Sequence, residues 1–207
     1  AAYVIFGQSS LADMNVSTLD GTNGFKISGA AAYDLVGITV NAAGDINGDG
    51  FGDVIVGAPY ASPAGTYSGA GYVVFGKATG FAANIDLSTL SGSNGFRVPG
   101  LSTYDTMGMR MDGLGDINGD GYGDLIIASN RADLSSKTDS GGAYIIFGKS
   151  TAFSTNLDVT TLNASTGFRI VGGASGDEAG WGLSNAGDVN GDGLADILLS
   201  SNHANSN

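Results

Sequence analysis

The chain has no cysteine, and it has only one histidine, one glutamate and three prolines. Without cysteine, disulfides and thiolate metal sites are excluded. The single histidine, His203, lies near the end of the chain among small polar residues, and we expect it to be a tail residue rather than a general base. The common nucleophile–base pairs are therefore mostly unavailable, and no Gly-x-Ser-x-Gly elbow or Gly-x-x-x-x-Gly-Lys-Ser/Thr phosphate loop occurs. We predict that the chain is not an enzyme.

Basic residues are also scarce. Eight lysines and arginines face 20 acidic residues, which gives a formal net charge of −12. This balance argues against a nucleic-acid partner, which requires a basic surface, and against docking on anionic lipid. No apolar run approaches the roughly 20 residues that span a bilayer, so we expect no membrane insertion.

Glycine and aspartate are the residues in excess. The 207 residues include 36 glycines, and all but one of the 20 acidic residues are aspartates. The glycines lie among valine, isoleucine and aromatic residues, which excludes both a collagen-like period and a disordered linker. Aspartate favours turns and hard metal ions, so this bias is the main feature to explain.

The sequence contains three copies of one unit. The segment Asp-Ile-Asn-Gly-Asp-Gly-Phe-Gly-Asp at 45–53 returns, with small changes, at 116–124 and 188–196. Other short segments recur with nearly the same spacing, such as Tyr-Val-Ile-Phe-Gly at 3–7 and its counterparts at 72–76 and 144–148. We therefore predict a single domain over 1–207 that is made of units at about 1–71, 72–143 and 144–207.

Each unit reads as four short strands rich in β-branched and aromatic residues, which is typical of a β-propeller blade. The predicted fold class is all-β. The chain begins with the third and fourth strands of a unit and ends with the first and second of another, so we predict one blade composed of N- and C-terminal strands. Propellers have about four to eight blades, so three imply a piece of a longer protein, an assembly of copies, or open strand edges. The start at Ala1 likewise suggests a processed product or a fragment.

The repeated aspartate-rich segment has the spacing of a metal-binding loop. Oxygen side chains stand at loop positions 1, 3, 5 and 9, and position 7 can offer a backbone carbonyl, which matches the first nine residues of an EF-hand. A set of oxygen ligands with three carboxylates favours Ca²⁺ over zinc or copper, and over Mg²⁺. The alternative is a hairpin turn without metal. The candidate ligands of the three predicted Ca²⁺ sites are Asp45, Asn47, Asp49, Phe51 and Asp53; Asp116, Asn118, Asp120, Tyr122 and Asp124; and Asp188, Asn190, Asp192, Leu194 and Asp196.

These motifs resemble the FG-GAP repeat of the integrin α-subunit β-propeller, which is also found in bacterial secreted proteins. The resemblance is carried by Gly-Ile-Thr-Val at 37–40, the loop at 44–53 and Val-Gly-Ala-Pro at 56–59, and it covers essentially the whole chain. The second and third units depart from the Val-Gly-Ala-Pro pattern. The resemblance implies a propeller with one Ca²⁺ loop per blade, between the first and second strands, but it carries over no ligand-binding residue.

Other repeated or unusual residues have two interpretations each. Asp34, Asp105 and Asp177 precede each loop by 11 residues, and we interpret them as turn caps, with a ring of carboxylates around a cation as the alternative. The pair Asp86 and Asp158, with Asn15 in the first copy, also fits a turn or cap. Trp181 is expected in the core, with a platform for a sugar or peptide as the alternative.

We therefore predict a calcium-binding, extracellular β-propeller module that serves as a scaffold for adhesion or protein interaction. Its expected partners are a protein or a glycan, and open blade edges offer self-association as a further expectation. Two alternatives remain: a self-assembling surface-layer or filament protein, and a non-catalytic propeller attached to a secreted hydrolase.

Overall fold

The computed structural model describes residues 1–9, 13–78 and 80–204, and they form an all-β fold, as the sequence predicts. Three single 3₁₀ turns, at Val16–Thr18, Leu87–Thr89 and Val159–Thr161, are the helical segments of the described residues. The strands are β1 (Ala2–Ile5), β2 (Gly24–Ser28), β3 (Val40–Gly44), β4 (Asp53–Ala58), β5 (Ala70–Val74), β6 (Asn84–Asp86), β7 (Gly95–Pro99), β8 (Met111–Gly115), β9 (Asp124–Ser129), β10 (Gly142–Ile146), β11 (Gly167–Val171), β12 (Ala179–Gly187) and β13 (Asp196–Ser201).

Two complete antiparallel blades occupy the middle of the chain. Their strand orders are β3-β4-β5-β7 and β8-β9-β10-β11, and each blade places its central strands in nearly complete burial. The apolar runs that form β4 and β9 leave the aspartate-rich loops directly, which is why the loops become hairpin connections. The short, glycine-bounded runs of β-branched residues therefore produce the four-stranded unit that the pattern indicates.

The composite blade predicted from the two ends of the chain does not form. In the described part of the chain, β1 pairs with β2 and β2 pairs with β6, while β12 and β13 form a separate two-stranded sheet. The reason is spatial, because the apolar residues of β1 and β2 pack on the first blade and those of β12 and β13 pack on the second. The observed order is a half blade, two full blades and a second half blade.

The first strands of neighbouring units lie side by side. Gly113 on β8 permits this approach, because a Cβ built there would lie only 2.4 Å from the carbonyl oxygen of Ala42 on β3. Side chains bridge the same gap: the Asn41 amide donates to the Met111 carbonyl at 3.0 Å, and the Asn185 amide donates to the Leu114 carbonyl at 2.8 Å. The first strands of neighbouring units are thus held together by hydrogen bonds from side chains to the backbone.

A second contact joins the units at their outer edges. We call residues 81–86 and 153–158 the latches, because each covers the fourth strand of the preceding unit. In the first latch, β6 runs parallel to β2, with Lys26 opposite Asn84. In the second, the Arg97 N–H donates to the Thr155 carbonyl at 2.9 Å, and the Leu157 N–H donates to the Arg97 carbonyl at 2.8 Å.

Stacked phenylalanines reinforce each latch. Phe25 stacks on Phe81 with ring centroids 4.4 Å apart, and Phe96 stacks on Phe153 at the same distance. Phe96 is fully buried and belongs to the largest apolar cluster, which lies between the two complete blades. Phe168, which has the position of Phe25 and Phe96 in the third unit, is 43% exposed.

The helical turns are too short for a membrane crossing. Among the described residues, no helix has the length and apolar character that a span requires.

Candidate metal loops and an aromatic cavity

The three predicted loops lie between the first and second strands of their units. Each begins at the end of β3, β8 or β12 and ends where β4, β9 or β13 starts. Glycines at loop positions 4 and 6 adopt the positive φ that the reversal requires, with values of +73° at Gly48 and +88° at Gly50. The conformation is repeated at the corresponding glycines of the other two loops.

The first aspartate of each loop organises the backbone. One oxygen of Asp45 accepts hydrogen bonds from the N–H groups of Gly48 and Asp49, at 2.8 and 3.0 Å, and the other accepts from Gly50 at 2.8 Å. Asp116 and Asp188 make the same three bonds in their loops. The backbone N–H of Gly193, followed by those of Gly191 and Asp192, keeps the pKa of the Asp188 carboxyl below its usual value.

The side chains at positions 3 and 5 lie close to the first. The Asp49 N–H donates to both Asp45 and Asn47, and the Asn47 amide donates to the Asp49 carboxylate at 2.9 Å. Carboxylate and amide oxygens are the donors that Ca²⁺ prefers, so the chemistry of this set fits the ion. However, the described residues contain no group of three or more acidic or histidine side chains already arranged around a common metal position. The ligand role of the fifteen predicted residues therefore stays a prediction.

The aspartate at position 9 has a different environment from the one expected. The sequence makes it a candidate metal ligand, but in the first two loops backbone N–H groups donate to both of its oxygens. Asp53 is buried and accepts from the Ile46 N–H at 2.9 Å and from the Gly76 N–H at 2.8 Å. Asp124 repeats this with Ile117 and Gly148. This aspartate therefore ties the loop to the segment that follows the third strand of its blade.

The third loop keeps only part of this tie. Asp196 accepts from the Val189 N–H at 2.8 Å and is partly exposed.

The other repeated aspartates are caps, as the sequence indicates. One oxygen of Asp105 accepts from the N–H groups of Leu101 and Ser102, and Asp34 and Asp177 each accept from a backbone N–H three residues earlier. Asp86 and Asp158 cap the 3₁₀ turns that follow them, and Asn15 does so in the first copy. These hydrogen bonds favour the capping interpretation over a ring of carboxylates around a cation.

An aromatic cavity of about 590 Å³ opens beside β12. Four of its residues are partly exposed aromatics, with exposed fractions of 39–55%: Tyr60, Tyr67, Tyr104 and Trp181. The prediction that Trp181 lies in the core is therefore wrong, since 43% of the residue is exposed. Ile38, which occupies the same position in the first unit, is also half exposed, so the first strand does not bury this position.

Polar groups complete the aromatic cavity. The Glu178 carboxylate lies 3.6 Å from Nε of Arg131 and 3.8 Å from Nδ1 of His203. Glu178 is buried, and Asn130 is almost fully buried. The expectation that His203 is only a tail residue is also wrong, because the turn after β13 brings it against the cavity.

Comparison with known proteins decides the family. The family described as FG-GAP repeat matches residues 38–74 and 113–146, which together include the aspartate-rich loops of both complete blades. The chain contains FG-GAP repeats. Phosphatidylinositol-glycan-specific phospholipase D of Bos taurus is 31% identical over 171 residues, which cover 82% of this chain and 19% of the relative. Integrin alpha-4 of Xenopus laevis is 30% identical over 177 residues, which cover 84% and 15%.

A third relative extends further along the chain. The phosphatidylinositol-glycan-specific phospholipase D of Dictyostelium discoideum is 28% identical over 197 residues, or 89% of this chain and 20% of the relative. The FG-GAP chain thus spans a fifth or less of the length of these proteins.

Sequence reasoning missed the aromatic cavity because its residues come from all three units, and no local pattern brings them together. The single tryptophan, glutamate and histidine of the chain all line it. Glu178 replaces Leu35 and Thr106 at one unit position, yet the backbone φ stays between 51° and 57° in all three. The sequence therefore contained a signal for this site. Side chains that occur only once in the chain stand in units whose backbone conformation is repeated.

The buried ninth aspartates give the FG-GAP loops a pH dependence. Burial raises the pKa of Asp53 and of Asp124 to about 6, against the opposing effect of their backbone hydrogen bonds, and the neighbouring loop carboxylates raise it further. Both carboxyls therefore hold protons more tightly in the folded protein than in the unfolded chain, where the pKa is near 3.9. Their contribution to stability is present at low pH and is lost as the pH rises through about 6.

We expect the metal-free protein to melt at a higher temperature at pH 5 than at pH 7.5, as measured by circular dichroism in EDTA. The double variant Asp53→Asn with Asp124→Asn cannot take up these protons, so its melting temperature should change much less over this interval. A wild-type melting temperature that is constant or rises toward pH 7.5 would contradict the expectation.

Proposed function

We propose that this FG-GAP chain is a calcium-binding, extracellular propeller module that acts as a scaffold for adhesion or protein interaction. The observation that carries the proposal is the threefold repetition of one loop with the same oxygen donors and the same internal hydrogen bonds. Nine of the nineteen aspartates lie in these loops. Like charges this close repel one another, and a divalent cation in each loop would relieve that repulsion.

Calcium would supply charge neutralisation and a rigid link across each hairpin. Asp45, Asn47 and Asp49, with their counterparts, would hold it through side-chain oxygens, and Phe51, Tyr122 and Leu194 would add backbone carbonyls. Three divalent ions would halve the formal net charge of −12. The absence of a glutamate at position 12 suits calcium-rich surroundings, which supports an extracellular location.

The adhesion role is supported by relatives named as integrins, of which integrin alpha-4 of Xenopus laevis matches 84% of this chain. The relatives named as phospholipase D favour a second candidate, a non-catalytic propeller joined to a secreted hydrolase. The two differ in what adjoins the FG-GAP chain in the whole protein, and a hydrolase motif in adjoining sequence would select the second. Neither candidate assigns catalysis to these residues.

The calcium proposal is tested by thermal melting at pH 7.5 in EDTA and in excess calcium. Calcium at 100 times the dissociation constant contributes about 2.7 kcal/mol per site. For a domain of this size, that corresponds to a rise of about 5–10 °C in the melting temperature for each site. Isothermal titration should give a stoichiometry near three.

Single variants Asp49→Ala, Asp120→Ala and Asp192→Ala should each remove one site and reduce the calcium-induced rise. The matched control is Asp86→Ala, which removes an exposed cap outside the loops and should leave the calcium-induced rise intact. If calcium does not change the wild-type melting temperature, or if a variant that combines the three loop substitutions keeps the full rise, the proposal fails.

A further inference from the structure

The aromatic cavity has the properties of a ligand site. Its volume of about 590 Å³ lies within the range of roughly 300–1,000 Å³ that is common for small-molecule pockets. The ring centroids of Tyr60 and Tyr67 are 4.8 Å apart, and those of Tyr67 and Tyr104 are 5.9 Å apart, so three rings form a continuous surface. Trp181 adds a fourth exposed ring to the same cavity. Such grouped aromatic exposure is unfavourable in water unless a partner covers it.

An unpaired amide at the cavity is an independent indication of a ligand. Asn130 is 1% exposed and lines the cavity, and its Nδ2 has no hydrogen-bond partner among the described residues. Its Oδ1 lies 2.9 Å from Oγ1 of Thr106, which also lies 2.7 Å from the Asp105 carbonyl. Thr106 can therefore satisfy only one end of the amide, whichever way the amide is turned. The other end is left for a polar group of a ligand.

The charges of the cavity favour a neutral ligand. The Glu178 carboxylate is balanced by the Arg131 guanidinium, so neither an anion nor a cation meets a net charge of opposite sign. The overall charge of −12 further disfavours an anionic ligand. A purely apolar ligand would leave the Asn130 amide unpaired and would take the Arg131–Glu178 pair out of water without new hydrogen bonds.

A pyranose ring combines the features that these groups require. Its C–H faces carry partial positive charge and stack on the negative faces of aromatic rings. Its hydroxyl groups both donate and accept, so they can bond the carboxylate, the guanidinium and the free end of the amide. We propose that the aromatic cavity binds a neutral sugar unit of a glycan, which rests on the proposed role of the chain as an interaction scaffold and names its ligand class.

The only tryptophan of the chain lies in the cavity, so its fluorescence reports binding directly. The protein is titrated with methyl glycosides of glucose, galactose, mannose, fucose, N-acetylglucosamine and N-acetylgalactosamine. We expect a saturable change in Trp181 emission with at least one of them, with a dissociation constant of about 1 mM. Tyr67→Ala and Glu178→Gln should each weaken that binding about tenfold or more.

The matched control is Tyr33→Ala. Tyr33 occupies the same unit position as Tyr104, but it is 90% exposed and lies outside the cavity, so its removal should change the affinity less than about twofold. The proposal is overturned if none of the six glycosides gives a saturable change, or if Tyr67→Ala and Glu178→Gln both bind like the wild type. It is also overturned if an arginine- or lysine-containing peptide saturates the signal and the sugars do not.

Calcium-dependent melting of the same samples separates the two proposals. A calcium-induced rise without a sugar response contradicts the sugar site alone, while a sugar response without that rise contradicts only the calcium loops. The melting temperatures of the variants also establish that each is folded before its affinity is compared.

Discussion

Replacing Phe96 with alanine is expected to lower the free energy of unfolding by about 3–5 kcal/mol. Phe96 is fully buried between the two complete blades, and its ring stacks on Phe153 with only 9° between the planes. Its ring also meets Phe75 edge-on, at 6.0 Å between centroids. The substitution removes apolar contacts in both blades and leaves a cavity that the surrounding strands can fill only in part.

The natural control is Phe168→Ala. Phe168 has the same position in the third unit but is 43% exposed, so the cost there should be below about 1 kcal/mol. Urea unfolding of both variants in the same calcium buffer measures the difference. Equal costs at the two positions would mean that the stacked latch is not a main source of stability.

Asp124→Ala is expected to lower the free energy of unfolding by about 2–4 kcal/mol, even in EDTA. The substitution leaves the partly buried N–H of Ile117 and the buried N–H of Gly148 without their acceptor, at roughly 1–3 kcal/mol each. Loss of the buried carboxylate also removes its own desolvation cost, which offsets part of this total.

The comparison variant is Asp120→Ala, in the same loop. Asp120 is exposed and accepts from the Tyr122 N–H, so its loss should cost no more than about 1 kcal/mol in EDTA. In calcium, Asp120→Ala should lose most of the stabilisation that its site provides. If Asp124→Ala costs nothing in EDTA but abolishes the calcium effect, the ninth aspartate is a metal ligand rather than the structural tie described above.

The local features of the fold follow from the sequence because short-range chemistry determines them. The continuous apolar run Val-Ile-Val at 54–56 predicts β4, and the run at 72–75 predicts β5. Glycine at loop positions 4 and 6 predicts the positive φ of the hairpin. The single turn near Leu87 follows from the capping carboxylate of Asp86. Repetition strengthens each of these inferences, because the same local pattern occurs in several units.

The features that the sequence does not predict depend on contacts between distant residues. The parallel pairing of Lys26 with Asn84 joins residues from different units, and no local pattern specifies it. The structural role of Asp53 depends on a hydrogen bond from Gly76, which lies just after β5 and far from Asp53 in the sequence. Trp181 occupies an apolar position of its unit, but the packing of neighbouring first strands leaves that position open to the aromatic cavity.

The latches give the row of units a head and a tail. Each latch comes from the later unit and covers the fourth strand of the earlier one, so the two sides of a junction are chemically different. In the described residues, β11 pairs with β10 but carries no latch on its other side. A contact of this type between copies of the chain would be heterologous, which builds rings or open rows instead of symmetric pairs. Every unit added in this way would point in the same direction as the one before it.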